Sequence, residues 1–460
     1  GWADVSFRGN PQIPTPNLDV LASQGTILDN YYVLHLCTPS RGAFLTGLYP
    51  IHTGLQHYVH FPGEPWGLSP NFTIMPHHLK DLGYVSHMVG KWHLGYHKES
   101  YTPSRLGFDS FYGFYNGGVD YYNHVMTMFN ASGRDFWMDT TPIRHGGDYY
   151  STYLYTEKAV SLIEDHNKTN PLFLYMAYQA VHCGDSKVPL QAPASAIAHF
   201  PYIQSLNRSI HAGAVYELDQ SVGHIMEALN RRRMLENSIV VFSTDNGGLP
   251  WGAEGNSGYN WPLRGAKSAL WQGAVRGVGF VWSPRLSKSR RLSKQMMHIT
   301  DWLPTLYSAA GGNVSQLGAI DGKDIWEALS QDLPFPREEV LLNIDPFNNN
   351  SALIVGDRKV ILGSYEDGIN DLRTPVPGGT RPVRGLDRMM LASRTAAVLK
   401  DFYRVRTLPV RPNWRQDLVV NCHQFRPRDN FVVASPPYYF DLRTDPCELE
   451  NLAATNVTVS

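Results

Sequence analysis

Cysteine is scarce in this chain: 460 residues contain four, at Cys37, Cys183, Cys422 and Cys447. Four are too few for a disulfide-held scaffold, so the fold has to rest on a packed core. An excess of charge is also missing. Lys and Arg number 40 against 41 Asp and Glu, a formal net charge of −1. Such a balance gives no bulk attraction to nucleic acid or to an anionic membrane, and no nucleic-acid partner is expected. Nor does any stretch approach about 18 uninterrupted apolar residues, so no membrane-spanning helix is expected. Internal repeats and low-complexity tracts are absent too.

What is present suits an ordered protein with a large interior. Hydrophobic residues make up 43% and charged ones 18%, a mixture that can bury a sizeable core. The length exceeds one ordinary core, which predicts a large domain and a smaller one. The 11 Trp and 25 Tyr suit a carbohydrate-handling surface, although aromatics also fill ordinary cores. Seven N-x-S/T sequons occur, at Asn71, Asn130, Asn167, Asn207, Asn313, Asn349 and Asn456, among 26 Asn. Chance would give about three. No leader opens the chain, yet this excess points to a glycosylated secretory-pathway protein, lysosomal or secreted, whose leader has been removed. Cys422 and Cys447 flank a β-like segment, "FVVASPPYYFDL", and form a candidate pair; Cys183 has no obvious mate.

Four short apolar runs each end in polar, reactive residues. "TILDNYYVLHL" leads into Cys37, "YVSHMVG" into Lys91-Trp-His93, "PLFLYMAYQAV" into His182, and "SIVVFSTDNGG" into Asp245-Asn246. Between them lie the amphipathic candidates "PNLDVLASQG", "HHLKDLG" and "AGAVYELDQSVGHIMEALNRRR". Strands alternating with helices predict an α/β domain with a large mixed, mostly parallel sheet flanked by helices. Ligands bind such sheets at the carboxyl ends of strands, where all four clusters fall. After about residue 340 the pattern changes. "ALIVGDRKVILGSY", "AAVLKDFYRVRT" and "PYYFDLRTDPCELENLA" read as short antiparallel strands with polar turns. A smaller α+β domain is therefore placed at 341–460, after a first domain at 1–340. The Arg/Pro-rich segment 373–388 reads as a surface loop.

Cys37 stands in the string Cys37-Thr38-Pro39-Ser40-Arg41-Gly-Ala-Phe-Leu45-Thr46-Gly47. Alone it would read as a small buried thiol at a helix start. The whole C-x-P-S-R box followed by L-T-G resembles the signature of the type I sulfatases. "GKWHLG" (90–95), "AYQAVH" (177–182), "STDNGG" (243–248), "WPLRGAKSALWQGAVR" (261–276) and "HITDWLPTL" (298–306) resemble the arylsulfatase B-type branch of that family. The ending "FDLRTDPCELENLA" also fits it.

The resemblance implies an alkaline-phosphatase-like fold and sulfate-ester hydrolysis. It implies that Cys37 is oxidised by a formylglycine-generating enzyme to an aldehyde, hydrated to a geminal diol. One hydroxyl of the diol attacks sulfur, and the other lets the sulfated enzyme collapse, an exit that serine lacks. Arg41 is expected to brace the diol and Lys91 to contact the sulfate. His93 is expected to take the proton that triggers release. His182 and Lys267 would hold the sulfate and stabilise or protonate the leaving oxygen. Ser40 is expected to serve recognition by the modifying enzyme and local hydrogen bonding. Asp245 and Asn246, after a strand, offer oxygens that suit one Ca²⁺ ion beside residue 37; "DNGG" is otherwise a plain turn sequence. The expected substrate is a sulfated glycan or an aryl sulfate, most specifically N-acetylgalactosamine sulfate units of glycosaminoglycans.

One departure stands out. Sulfatases of this kind begin with an apolar strand ending in an Asp-Asp pair that supplies two more metal ligands. "GWADVSFRGN" matches the segment after that pair, and Asp4 matches a later aspartate. The carboxyl end also looks short of a closing helix. The expectation is a trimmed piece of a longer protein; the alternative is a pseudosulfatase that binds sulfated glycans without turnover. A phosphatase of the wider superfamily is a third reading, which the cysteine disfavours because those enzymes use Ser or Thr.

Overall fold

The computed structural model describes residues 1–128, 131–144, 149–185, 187–252, 254–378, 384–423, 429–433 and 435–454. The sequons at Asn130 and Asn456 lie outside them, as does the 379–383 part of the expected surface loop. Arg384 to Arg388, the end of that expected loop, instead begin a helix.

The helices that frame the chemistry are α1 (Pro16–Gln24), α2 (Cys37–Thr46), α3 (Ser151–Asp165), α4 (Leu206–Arg231), α5 (Trp302–Ala309), α6 (Arg384–Leu391) and α7 (Arg394–Tyr403). The strands are β1 (Thr26–Leu28), β2 (Val85–Lys91), β3 (Ser110–Phe114), β4 (Trp137–Met138), β5 (Thr141–Pro142), β6 (Leu172–Ala177), β7 (Val240–Ser243), β8 (Gly279–Trp282) and β9 (Arg291–Ser293), followed by β10 (Glu339–Asp345), β11 (Asn350–Val355), β12 (Arg358–Leu362) and β13 (Tyr438–Asp441). Local chemistry sets the ends. Pro16 opens α1 at a position whose N–H has no helical partner anyway. The Ser205 hydroxyl caps α4 by accepting from Arg208 N. Gly47 closes α2 in a left-handed conformation, φ 67°.

The sheets are mixed. β2 is the fourth strand of a five-stranded sheet, order β5-β4-β3-β2-β6, and pairs parallel with both β3 and β6. A four-stranded sheet, order β7-β8-β1-β9, joins β1 to β8 antiparallel and to β9 parallel. Apolar residues of β6 and β7 (Phe173, Tyr175, Val241) pack against one cluster that includes Met88, Trp92, Trp302 and Leu303. β6 and β7 each have a neighbour on one edge only among the described strands, and residues 172–176 and 240–243 are half-buried. An open edge leaves apolar side chains and backbone groups uncovered, which these two runs would not be inside a sheet.

The carboxyl-terminal part is an antiparallel sheet, order β10-β11-β12-β13. It packs its inner face (Val340, Leu342, Ile354, Ile361, Tyr438, Phe440) on Trp271, Leu270 and Ala274. Cys422 and Cys447 form the disulfide, while Cys37 and Cys183 are free and buried. A second expectation also fails. "AAVLKDFYRVRT" lies largely in helix α7, capped by the Ser393 hydroxyl on Ala396 N. Counted from the buried Thr395, Val398 and Leu399 lie three and four positions on, and Ala396 lies three before Leu399. Ala396, Val398 and Leu399 belong to the cluster containing Leu18, Leu21 and Met226 of α1 and α4. The β-branched and aromatic residues suggested a strand; the three- and four-residue spacing decided otherwise.

Lys359 and Glu448 form an ion pair of 2.6 Å with neither side chain exposed. Burial pushes Lys359 down and Glu448 up, and each partner's charge works against that shift. Glu448 also accepts from Gln272 N, so the pair joins β12 to the loop carrying Lys267. Lys359→Ala strands a buried carboxylate and is expected to cost about 3–5 kcal/mol. Urea unfolding measures this; a loss below about 1 kcal/mol would show the pair to be dispensable.

Candidate active site

Cys37 is the first residue of α2 and is 1% exposed. Its Sγ lies 3.4 Å from Asn246 Oδ1. Lys91 closes β2, Asp245 and Asn246 follow β7, and His182 follows β6. The strand ends therefore deliver side chains to one place, beside a helix N-terminus that favours an anion.

Arg41 braces this junction. Its Nη1 donates to Lys91 O at 2.8 Å and its Nη2 to Asp245 Oδ2 at 3.0 Å. Burial disfavours its charge, but Asp245, together with Tyr175 and Cys37, more than offsets that and raises its pKa. Ser40 is fully buried; its hydroxyl accepts from Leu34 N at 2.9 Å and donates to Asp245 O. It thus ties α2 to the 245 turn. Thr38 does the same for the histidine side: its Oγ1 donates to His93 O at 2.9 Å and accepts from His60 N at 3.0 Å.

His93 sits in a left-handed turn, φ 62°. Its Nε2 donates to His60 O at 2.9 Å, so Nδ1 keeps its lone pair. That Nδ1 is buried without a regular hydrogen bond. Burial first, then Lys91, push His93 down to about 3, so the ring is neutral; the charge of Cys37 opposes this. Burial would raise the Cys37 thiol, yet the charges of Lys267 and Lys91 hold it well below its usual range. Lys91 is pulled down, mainly by burial. Lys267 also loses charge stability to burial, but Cys37 and Glu254 more than restore it.

Lys267 Nζ lies 3.0 Å from His182 Nε2, and His182 Nδ1 lies 2.9 Å from Cys183 O. An ammonium only donates, so Nε2 must accept and Nδ1 must carry the proton. Burial works against a charged His182, while a Cys183 thiolate would push it up to about 9. The contact with Lys267 supports the neutral ring.

The structure therefore brings Cys37, Arg41, Lys91, His93, His182, Lys267, Asp245 and Asn246 together. Sequence reading missed the walls that fix the two rings. A Cβ on Gly117 would lie 2.8 Å from His93 Cε1, and one on Gly118 3.1 Å from His182 Nδ1. A Gly-Gly pair reads as a loop, so its role as a wall became visible only in three dimensions. Thr38, Cys183 and Glu254, whose Oε2 is 4.0 Å from Lys267 Nζ, were also unassigned. Asp4 is occupied elsewhere: Arg208 holds it at 2.5 Å, and His211 is 3.2 Å away.

The metal expectation meets a limited donor set. Among the described residues no group of three or more His, Cys, Asp or Glu could hold an ion. Asp245 and Asn246 offer two side-chain oxygens beside Cys37, whereas Ca²⁺ takes about 6–8. Alone, these residues do not fit a Ca²⁺ site.

This α/β scaffold is shared with solved sulfatases. The structure resembles the PsFucS1 sulfatase from Pseudoalteromonas sp. with a TM-score of 0.69 and 20% identity, covering 98% of this chain and 83% of that one. It resembles Ps i-CgsB with a TM-score of 0.71 and 28% identity, covering 78% and 81%. A family model described as Sulfatase matches residues 1–312, and the chain belongs to the sulfatase family. It is 43% identical over 348 residues to arylsulfatase J of Mus musculus, covering 75% of this chain and 56% of that protein. It is 32% identical over 345 residues to N-acetylgalactosamine-6-sulfatase of Homo sapiens, covering 72% and 64%. The chain thus spans somewhat over half the length of these relatives.

His35, two residues before Cys37, is buried with Nδ1 unpartnered, and burial pushes it down to about 4. The ordinary value in an unfolded chain is about 6.5. A lowered histidine contributes stability that is fully present above 6.5 and is lost as pH falls through 4. The slope is at most about 1.4 kcal/mol per pH unit for each such group. Urea midpoints between pH 7 and 4.5 should therefore fall less steeply for His35→Asn than for the parent chain. Equal slopes would mean that His35 is not held neutral.

Proposed function

We propose that this protein hydrolyses sulfate esters of sugars at the site around Cys37, with that residue matured to formylglycine. The observation that carries the reading is the enclosure of a buried residue 37 by Lys91, Lys267 and Arg41, with two neutral histidines and the two carboxylates of Asp245 and Glu254. Three cations in low dielectric suit a doubly bonded, anionic sulfuryl group and the charge it develops on transfer.

The hydrated aldehyde supplies a nucleophilic oxygen and, through its second hydroxyl, a route to release sulfate. The chain's own residues do the rest. Arg41 holds α2 against Lys91 and Asp245, which sets the direction of the residue 37 side chain. Lys91 and Lys267 receive sulfate oxygens. His93, protonated at Nε2, presents Nδ1 as the base. His182 accepts a hydrogen bond from Lys267 and so orients the ammonium that steadies the leaving oxygen. Asp245 and Asn246 would be ligands of Ca²⁺ only as part of a larger oxygen set, and no step is assigned to the ion. Because residue 37 is buried in the fold, the oxidising enzyme would have to meet the C-T-P-S-R box before the chain closes over it.

N-acetylgalactosamine sulfate units of a glycosaminoglycan are the proposed natural substrate. Support for that sugar comes from a relative named N-acetylgalactosamine-6-sulfatase; Ps i-CgsB, solved with k-i-k-neocarrahexaose at 27% identity, supports a glycan substrate. The proposed location is lysosomal or secreted, supported by exposed sequons at Asn71, Asn167, Asn207, Asn313 and Asn349. Residues 1–340 are proposed to carry the chemistry and 341–460 to form a smaller unit against it. The short oxygen donor set favours a second reading, glycan binding without turnover.

Turnover of a chromogenic aryl sulfate distinguishes these readings. The proposal expects sulfate release from the matured protein, abolished in Cys37→Ala and reduced about 10²–10³-fold in Lys267→Ala. Undiminished turnover in Cys37→Ala would end it. Gly117→Ala should lower kcat by displacing His93 while leaving the urea midpoint nearly unchanged. A normal kcat there would contradict the placement of His93.

A further inference from the structure

The turn of residues 346–349 between β10 and β11 presents a feature that the chemistry at Cys37 does not use. Phe347 is 80% exposed, the highest of the large apolar side chains among the described residues. It is nevertheless held in place. Its ring meets His57 edge-on, with centroids 4.6 Å apart and planes at 68°. His57 Nδ1 lies 2.8 Å from Asp345 Oδ1, which also accepts from Phe347 N at 3.0 Å and Asn348 N at 3.2 Å. Asn348 Nδ2 donates to Asp345 Oδ2 at 2.5 Å and to His57 O at 3.3 Å. The turn is therefore rigid, and an apolar ring stands open on it.

Two residues beyond the ring is Asn349, exposed and in the left-handed region at φ 47°. It begins the sequon Asn349-Asn350-Ser351. Asn350 points inward, 4% exposed, with its Oδ1 accepting from Asn343 Nδ2 at 3.1 Å. The strand pair Asp345–Asn350 closes the turn, so Phe347 and Asn349 share a loop of four residues. The other described sequons are exposed as well, but two residues before them stand Ser69, Asp165, Ser205 and Gly311. Only here does an aromatic ring precede the asparagine at that spacing.

We infer that Asn349 carries an N-linked glycan whose first sugar ring lies on the open face of Phe347. In the transfer, the Asn349 amide nitrogen forms a bond to C1 of an oligosaccharide delivered as a lipid diphosphate. The C1–oxygen bond to the diphosphate breaks, the lipid diphosphate leaves with the electron pair, and the amide gives up one proton to the transferase. No oxidation or reduction is involved. The apolar C–H face of the sugar then covers a ring that water would otherwise meet. Because Asp345 and Asn348 already fix the turn, little ordering remains to be done when the sugar seats.

This inference rests on the secretory reading above, and the test separates the two. The chain is expressed in a secretory eukaryotic cell, and each sequon is scored by peptide mass after enzymatic removal of N-glycans, which converts an occupied Asn to Asp. Asn349 is expected to be occupied. Melting temperatures are then compared for the parent chain, Phe347→Ala, Asn349→Gln and the double variant. Each single change should lower Tm by a similar small amount, on the order of 1–2 °C, and the double variant should lose no more than either. Glycans on other sequons with Asn349 bare would overturn the inference and leave the secretory reading standing. Additive losses, or no loss from Phe347→Ala, would overturn the stacking. No occupied sequon at all would overturn both readings.

Discussion

The guanidinium of Arg41 is the joint on which the site depends. It reaches from α2 to the carbonyl that ends β2 and to the carboxylate that follows β7. Three segments far apart in sequence thereby share one ion pair between a buried guanidinium and a half-buried carboxylate. Isolated charges at that depth would be costly, but Arg41 has both a carboxylate and a carbonyl, so its desolvation is offset by directed hydrogen bonds. With α2 held so, residue 37 must open at the meeting point of the strand ends. Ser40 and Thr38 repeat the same bracing on either side through buried hydroxyls.

The second constraint is electrostatic. Lys91 and Lys267 are buried close to Cys37, and burial alone would favour their neutral forms. An anionic group at residue 37 resolves this conflict, and in its absence the site holds more positive charge than its carboxylates balance. The proposed sulfate-ester substrate would bring that missing negative charge. The two histidines complement this by staying neutral through their hydrogen bonds, one to His60 O and one between Lys267 and Cys183 O. One presents a lone pair for proton transfer; the other is already committed to a donor. Such a division of roles needs walls that keep each ring from turning, and Gly117 and Gly118 are those walls.

Much of this was legible along the chain, for a physical reason. Residues at the ends of apolar strands sit beside short segments that read as strand-then-loop, so Lys91, His182, Asp245 and the box at Cys37 announced themselves. The pair Cys422–Cys447 was equally visible, because it brackets a single β-like stretch. The glycine walls were hidden, since Gly-Gly has no side chain to signal what it stands beside. Thr38 and Ser40 could be seen in the box, but their partners lie up to about two hundred positions away. The segment at 394–403 was misread because its residue types favoured a strand while its spacing, which follows a helix buried on α1 and α4, carried the answer. The open edges of β6 and β7 add a third kind of information: pairing across a sheet is a property of neighbours, which single strands do not encode.

The central claim is that residue 37 is not a thiol but the precursor of a nucleophile set among buried cations. The intact mass of the peptide spanning residues 37–41, from protein made in cells able to mature sulfatases, tests this most directly. The account predicts a mass lower than the encoded sequence by about 18 Da, the difference between a cysteine thiol and the aldehyde. An unmodified thiol in protein that releases sulfate would contradict it.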